Sequence, residues 1–394
     1  MISVDEALAM LARRRPVMPS EVVGIHSALD RVLAADVRAR VTLPPHPVSA
    51  MDGYAVRFAD LAADGTGLTV IGEAPAGRPF RGQVGAGEAV RIFTGSHVPE
   101  GADHIVIQEQ AERIGDAVRV TAPQERPANI RAAGLDFAEG DVLVKSGAKL
   151  GPAEIAAIAA ADHGEVTVVR KLKITFIANG DELRAPGGDP AQGDIAASSY
   201  AGLSALVQRW GGEPSDGGIA ADSVEAICER VTAARDADII VPVGGASVGD
   251  HDHMYAAFSK LGLKEVFRKI AVRPGKPTWF GTMGTQLVLG LPGNPASAYV
   301  CAQLFLRTLI DTDAPLAWQF AKLSKPVSAE GPRETFVRGI SRIDKDGCQH
   351  AAPLERQDSA LITPFMMANC LIRRRAHSPA ASAGAIAEIL PLQC

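Results

Sequence analysis

The spacing of apolar residues changes period several times along the 394-residue chain. Over 3–14, Val4, Ala7, Leu8 and Leu11 fall on one helical face and Ser3 with Glu6 forms a capping box, so this segment predicts a helix. A short second helix is predicted over about 27–34. Between about 41 and 144 the apolar runs shorten to strand length, at 68–71, 89–93, 104–107 and 117–120, with Gly- and Pro-rich turns between them. This texture predicts an inserted β-rich domain. Helix returns at 151–163, with Pro152 in the first turn and Gly164 at the stop. The helical pieces on either side of the insertion are expected to pack as one discontinuous domain.

From Lys173 strand and helix alternate. Strands are predicted at 174–178, 239–243 and 287–290, and helices at 199–210, 222–234, 253–261 and 295–310. Asp222 is expected to open its helix, with Glu225 three residues on, and Asn294 to cap the last one, which is apolar almost all round and therefore buried. Such alternation predicts a doubly wound α/β domain. After about 312 the pattern is β again, at 322–327, 335–338 and 370–372, with a turn at 344–347.

Composition narrows the function. Hydrophobic residues make up 47% of the chain, and aromatics only 5%. That scarcity of stacking platforms, with a formal net charge of -5, argues against nucleic acid as a partner. Five cysteines without a C-x-x-C pair read as free thiols of a reducing compartment. No apolar run is long enough to span a membrane, and the amino terminus carries acid where a signal peptide carries base. A cytoplasmic protein is expected. There is no Ser-His-Asp spacing, H-E-x-x-H or P-loop, so side-chain nucleophilic catalysis is unsupported.

Candidate chemistry gathers in three loops that each follow a predicted strand: Asn179-Gly180-Asp181-Glu182, the segment 244–252, and Leu291-Pro292-Gly293-Asn294-Pro295. In an open α/β sheet the ligand lies beyond the carboxyl ends of the strands. Gly244, Gly245 and Gly249 let backbone N–H groups approach an anion, and Asp181, Glu182, Asp250 and Asp252 supply the hard oxygens that suit Mg²⁺ held against phosphate. His251 and His253 alternate with the acids and read as capping or solvated residues rather than zinc ligands. Lys269, Arg273 and Lys276 form a basic ladder, with Lys276 in the stiff turn Arg273-Pro274-Gly275-Lys276-Pro277. The pattern predicts a phosphorylated small molecule as ligand.

Further motifs stand in the insertion. In chain order, Ser49-Ala50-Met51-Asp52-Gly53-Tyr54-Ala55, Ile92-Phe93-Thr94-Gly95, Asn129-Ile130-Arg131, Gly180-Asp181-Glu182-Leu183, Gly244-Gly245-Ala246-Ser247-Val248-Gly249, Pro274-Gly275-Lys276-Pro277 and Leu291-Pro292-Gly293-Asn294-Pro295 are present. Together they resemble the molybdopterin molybdenumtransferase family, the bacterial MoeA proteins and the E-domain of gephyrin, over essentially the whole chain. With that resemblance the expected fold is multidomain α/β plus β. It comprises a central doubly wound α/β, molybdopterin-binding domain at 169–312 and an inserted β-rich domain at 41–138. A discontinuous helical domain from 1–40 and 139–168 and a C-terminal β-barrel-like domain at 313–394 complete it.

The resemblance implies insertion of molybdenum from molybdate into adenylylated molybdopterin, with AMP leaving, Mg²⁺ as cofactor, and a homodimer whose site is shared between the α/β domain of one subunit and the insertion of the other. It implies as further partners the molybdopterin adenylyltransferase and other cofactor-biosynthesis proteins. Carried over by motif, the catalytic residues are Asp52, Glu182, Asp252 and Lys276, with metal held by some of Glu182, Asp252 and Asp52. The substrate-binding residues are Thr94, Glu109, Arg131, Asp136, Asp222, Gly244, Gly245, Ser247, Gly249, Lys269, Arg273, Pro292, Pro295, Arg338 and Ser359, with molybdate near the last two. Departures from the family pattern are His46-Pro47-Val48, Leu135, Asn179, Ala197-Ser198-Ser199, Arg273 and Asp358. They motivate one alternative, a non-catalytic molybdopterin-binding or scaffold paralogue; likeness of the α/β domain motivates another, the adenylyltransferase.

Overall fold

A computed structural model describes residues 1–61, 67–122, 125–189, 193–244, 253–311 and 316–392. The chain divides into two compact units, Met1–Pro19 with Arg170–Cys394, and Ser20–Val169.

The first unit is built on a six-stranded sheet. Strands Glu213–Ala220, Lys173–Asn179, Ile239–Val243 and Gln286–Gly290 lie parallel in that order. Trp279–Met283 and Lys264–Phe267 continue it antiparallel. Side chains alternate between two faces, as strand geometry requires. Ile174, Phe176, Ile239, Val241, Leu287 and Leu289 face one core. Ile177, Ile240 and Val288 face the other. Helix Ser199–Arg209 and the segment from Pro295 to Ile310 cover the first face, while Val224–Ala233 and His253–Lys260 cover the second. The doubly wound expectation therefore holds, with an antiparallel extension that sequence pattern did not reveal. The segment starting at Pro295 is buried over nearly its whole length, as expected, but it also buries the polar Ser297, Gln303, Arg307 and Thr308 and passes through a π turn at Ala302–Leu306.

Two helix starts differ from expectation. Ser223, not Asp222, caps Val224–Ala233, its side chain accepting from Ala226 N–H. The Asp222 N–H donates to Asp181 Oδ1 at 2.9 Å instead. Asn294 makes no side-chain cap bond; its amide is used elsewhere, as shown below.

The C-terminal part is a closed barrel of five strands. Glu334–Ile343 pairs with Gln349–Pro353 on one side and Cys370–Arg374 on the other, and Gln319–Leu323 with Ile386–Pro391 completes the ring. The short strand Val272–Arg273 joins it beside Glu334 and Thr335. That pairing carries the Arg273–Pro277 turn to the barrel rim.

Helix Val4–Ala12 forms with its capping box, but its location corrects the expected helical domain. Val4, Ala7 and Leu11 are buried in the α/β core with Phe305 and Leu309. Its stripe announced burial without saying against what, and the largest apolar face available is this one.

The second unit holds a six-stranded sheet ordered His104–Ile107, Gly53–Val56, Glu88–Ile92, Gly67–Ala74, Ala117–Val120 and Ala111–Ile114. Beside it, Ser20–Gly24 pairs antiparallel with Glu165–Val169, and Val37–Arg38 with Val142–Val144. Among its described residues this region contains one α-helix, Pro152–Ala160, so strands rather than helices join its two stretches. The helix expected over 27–34 is a 3-10 turn at Ile25–Ser27 followed by Asp30 at φ 61, a left-handed conformation that no helix continues through. Likewise Asp162, at φ 69, ends helix Pro152–Ala160 rather than Gly164.

Arg373 ties the first unit together. It is buried, pairs with Glu334 and with Asp5 at 2.6 Å, and lies over the Trp318 ring. Replacing it strands the buried Glu334 carboxylate. Arg373→Met is expected to cost about 3–5 kcal/mol in a urea melt, and a cost below about 1 kcal/mol would show that Glu334 is not dependent on it.

Candidate functional site

The strand ends of the α/β sheet converge as the loops predicted. Gly244 adopts φ 97, and a Cβ there would stand 2.9 Å from the Asn179 carbonyl; a Cβ on Gly293 would stand 3.3 Å from the Gly244 Cα. Only glycine fits where three loops meet this closely. The Gly244 N–H donates to the Leu291 carbonyl at 3.2 Å, joining the second end to the third, and Asn179 Nδ2 donates to the Ala221 carbonyl at 3.2 Å, joining the first to the end of the edge strand Glu213–Ala220.

A cavity of about 960 Å³ opens above them. Glu182, Gly244, Pro292 and Pro295 line it, with a softer wall of Ile195, Ala197 and Tyr200. Glu182 is exposed. Gly245, Ser247, Gly249 and Asp252 lie outside the described residues.

A second cavity, of about 670 Å³, lies between the α/β sheet and the barrel rim. Arg273, Lys276, Arg338 and Ser359 line it. Arg338 is buried, and each nitrogen of its guanidinium makes a bond: Nε donates to Gln357 Oε1, Nη1 to the Leu361 carbonyl at 2.9 Å and Nη2 to the Asp358 carbonyl at 3.0 Å. It thus shapes the 357–361 loop and lends a positive field. Arg273 and Lys276 are exposed and make no ion pair with a described residue. Asn294 Nδ2 donates to Ser359 Oγ at 3.0 Å, and Pro277 lines both cavities, so the two abut. Beneath the Arg273–Pro277 turn sits Cys301, whose Sγ accepts from Thr278 Oγ1 at 3.2 Å. Burial pushes this thiol up to about 12, which makes it a packing group and not a nucleophile.

In the second unit, antiparallel pairing of Gly53 with Ile92 places Asp52 beside Thr94. Asp52 Oδ1 accepts from the Thr94 N–H at 2.7 Å and from Thr94 Oγ1 at 2.8 Å. These two bonds, the N–H foremost, hold its carboxyl below the ordinary aspartate value. Glu109 follows closely, since the Gln108 N–H donates to the Asp52 carbonyl at 2.9 Å. Arg131 and Asp136 are exposed and make no hydrogen bond to Asp52 or Thr94. Lys269 and Asp222 are not among the residues lining either cavity. Among the described residues no three potential metal ligands cluster.

Comparison with known proteins agrees with this arrangement. Residues 2–161 match the MoeA N-terminal region (domain I and II), 175–312 a probable molybdopterin binding domain, and 321–392 the MoeA C-terminal region (domain IV). The molybdopterin molybdenumtransferase of Haemophilus influenzae is 32% identical over 99% of this chain and 98% of its own. The chain belongs to the molybdopterin molybdenumtransferase family. The family's Nostoc enzyme is 34% identical over 84% of this chain and 81% of its own. The crystal structure of the molybdopterin biosynthesis MoeA protein from Pyrococcus horikosii superposes with a TM-score of 0.84 at 28% identity, covering 99% of each chain.

Sequence reasoning gave Asn294 the wrong task and missed Gln357, because both act through long-range contacts that no local pattern encodes. It also missed Arg230, which lines the larger cavity.

The depressed Asp52 carboxyl contributes stability at neutral pH that is lost as pH falls through its folded value. Thr94→Val removes the hydroxyl donor and keeps the N–H, so the Asp52 pKa is expected to rise part of the way towards 3.8 in an NMR titration. An unchanged value would show that the hydroxyl contributes nothing.

Proposed function

We propose that this chain inserts molybdenum, delivered as molybdate, into adenylylated molybdopterin and releases AMP, as a step of molybdenum cofactor biosynthesis. The observation that carries this is the pair of abutting cavities. One, at the strand ends, has the size and mixed lining for a phosphorylated pterin. The other presents Arg273 and Lys276 with Ser359, a cationic cleft suited to a small oxyanion. Asn294 and Pro277 make the shared wall, so the dithiolene of a pterin in the first meets an oxyanion in the second.

The chain's own residues divide the work. Arg273 and Lys276 hold molybdate by charge, and Ser359, fixed by Asn294, orients it. Arg338 keeps the loop carrying Ser359 in place through the Asp358 and Leu361 carbonyls. The carboxylates Glu182 and Asp52 supply hard oxygen donors on exposed or half-exposed side chains, a chemistry that fits Mg²⁺. Glu182, Asp52 and Asp252 would hold it, and when bound it neutralises charge on the pyrophosphate. The working form is a homodimer.

The test is AMP release from adenylylated molybdopterin by the purified chain with molybdate and Mg²⁺. Turnover is expected in the wild type, with Glu182→Gln lowering the rate by roughly 10²–10³-fold and Lys276→Ala raising half-saturating molybdate about tenfold. Binding of the pterin without AMP release would leave the scaffold reading instead. Mixed dimers of Asp52→Asn and Glu182→Gln copies are expected to regain activity that neither variant has alone.

A further inference from the structure

The strand-end cavity lacks something that its proposed ligand requires. A phosphorylated ligand brings negative charge, yet the charged groups among the described lining residues are Glu182, Asp216 and Arg230, two acids and one cation. Arg273, Lys276 and Arg338 line the other cavity. Arg230 is therefore the one cation that the described wall offers to the phosphates.

Its placement has a local cause. Strand Glu213–Ala220 is the sheet edge, and its register with Lys173–Asn179 slips between the pairs Phe176–Asp216 and Ala178–Ile219. One extra residue on the edge strand makes a β-bulge, a device common beside functional sites. Gly217 and Gly218 occupy the bulge, with Gly218 at φ 80. The Gly218 N–H donates to Asp216 Oδ1 at 2.8 Å, which turns that carboxylate onto its own backbone. A Cβ on Gly218 would stand 3.1 Å from Arg230 Nη1. The guanidinium thus lies flat against a patch from which side chains have been removed. It comes from the last turn of helix Val224–Ala233, on the far face of the sheet.

Arg230 also borders a second space of about 530 Å³ along the sheet edge, lined by Thr175, Ser215 and Asp236, and the two spaces share Asp216, Gly218 and Arg230. The guanidinium stands at their junction and is exposed. No carboxylate among the described residues forms an ion pair with it. Its planar fork of donors has no partner among the described residues, and such a fork matches a phosphate bidentately.

We propose that Arg230 is a substrate-binding residue that grips a phosphate of the ligand in the strand-end cavity, seated there by the glycine bulge of the edge strand. This rests on the functional reading above for the identity of the ligand, but not for the binding of phosphate itself. The plain alternative is an arginine that only complements the helix C-terminus; that role predicts a change in stability and none in ligand affinity.

The experiment is calorimetric titration of the full-length chain with inorganic pyrophosphate, using wild type, Arg230→Gln and Arg230→Lys, together with their thermal melts. Arg230→Gln is expected to weaken pyrophosphate about tenfold, and Arg230→Lys to weaken it less, because the charge remains but the fork is lost. In turnover assays the KM for the adenylylated pterin is expected to rise about tenfold in Arg230→Gln, with half-saturating molybdate unchanged. Pyrophosphate affinity within about twofold of wild type in both variants, or no binding by the wild type, overturns the proposal. Arg230→Lys keeps the experiment decisive if the glutamine variant does not fold. Pyrophosphate binding that depends on Arg230 in a protein that releases no AMP would refute the functional reading and leave this one standing.

Discussion

The contact on which the rest depends is the meeting of three strand ends at Asn179, Gly244 and Gly293. Backbone approaches backbone there closely enough that a methyl group at Gly244 would press on the Asn179 carbonyl. The sheet order places these ends side by side, because Ile239–Val243 lies between Lys173–Asn179 and Gln286–Gly290. Everything that follows uses this floor. Glu182 rises from the first loop, Pro292 and Pro295 from the third, and the helix from Pro295 leads directly to the second cavity.

That helix is the mechanical link between the two cavities. Asn294, at its start, holds Ser359, and Ala296 donates its N–H to the Ser359 carbonyl at 3.1 Å. Ser297 faces the cationic cleft, and Cys301, a turn further, fills the space under the Arg273–Pro277 turn. One helix therefore contacts both walls of the cleft. A buried apolar helix is a rigid element, and building both walls on it fixes their separation more tightly than loops alone. The near-complete burial of this segment, visible in its sequence as apolar residues almost all round, is the physical reason it can serve so.

Much of this was legible in the sequence. The three glycine-containing loops at strand ends and the strand–helix alternation come from local rules of spacing and turn chemistry. What stayed hidden has a common cause. Edge strand Glu213–Ala220 contains Pro214, Ser215, Asp216, Gly217 and Gly218, and shows no alternation because it is bulged and half solvated. Arg230 looks like any exposed helical arginine until the bulge is seen beneath it. The N-terminal helix announces a buried stripe but not its partner. Expectations failed where the answer lay in a contact distant in sequence.

The departures from the family pattern bear on whether such a site retains its chemistry, and the structure gives several of them structural employment. Asn179 spends its amide on the Ala220 and Ala221 carbonyls, closing the strand end. Asp358 stands at the cationic cleft, where a free carboxylate would repel an oxyanion. Its Oδ1 instead accepts the Ala360 N–H at 2.8 Å, and its carbonyl accepts from Arg338. The aspartate is thus a turn-former whose charge is drawn into its own loop, in the manner of an Asx-turn. Ala197, Ser198 and Ser199 lie along the wall of the strand-end cavity, which also carries Glu182 and Arg230. Asn179 and Asp358 thus brace loops beside the two cavities, while Glu182, Arg230 and Lys276 remain on the cavity walls.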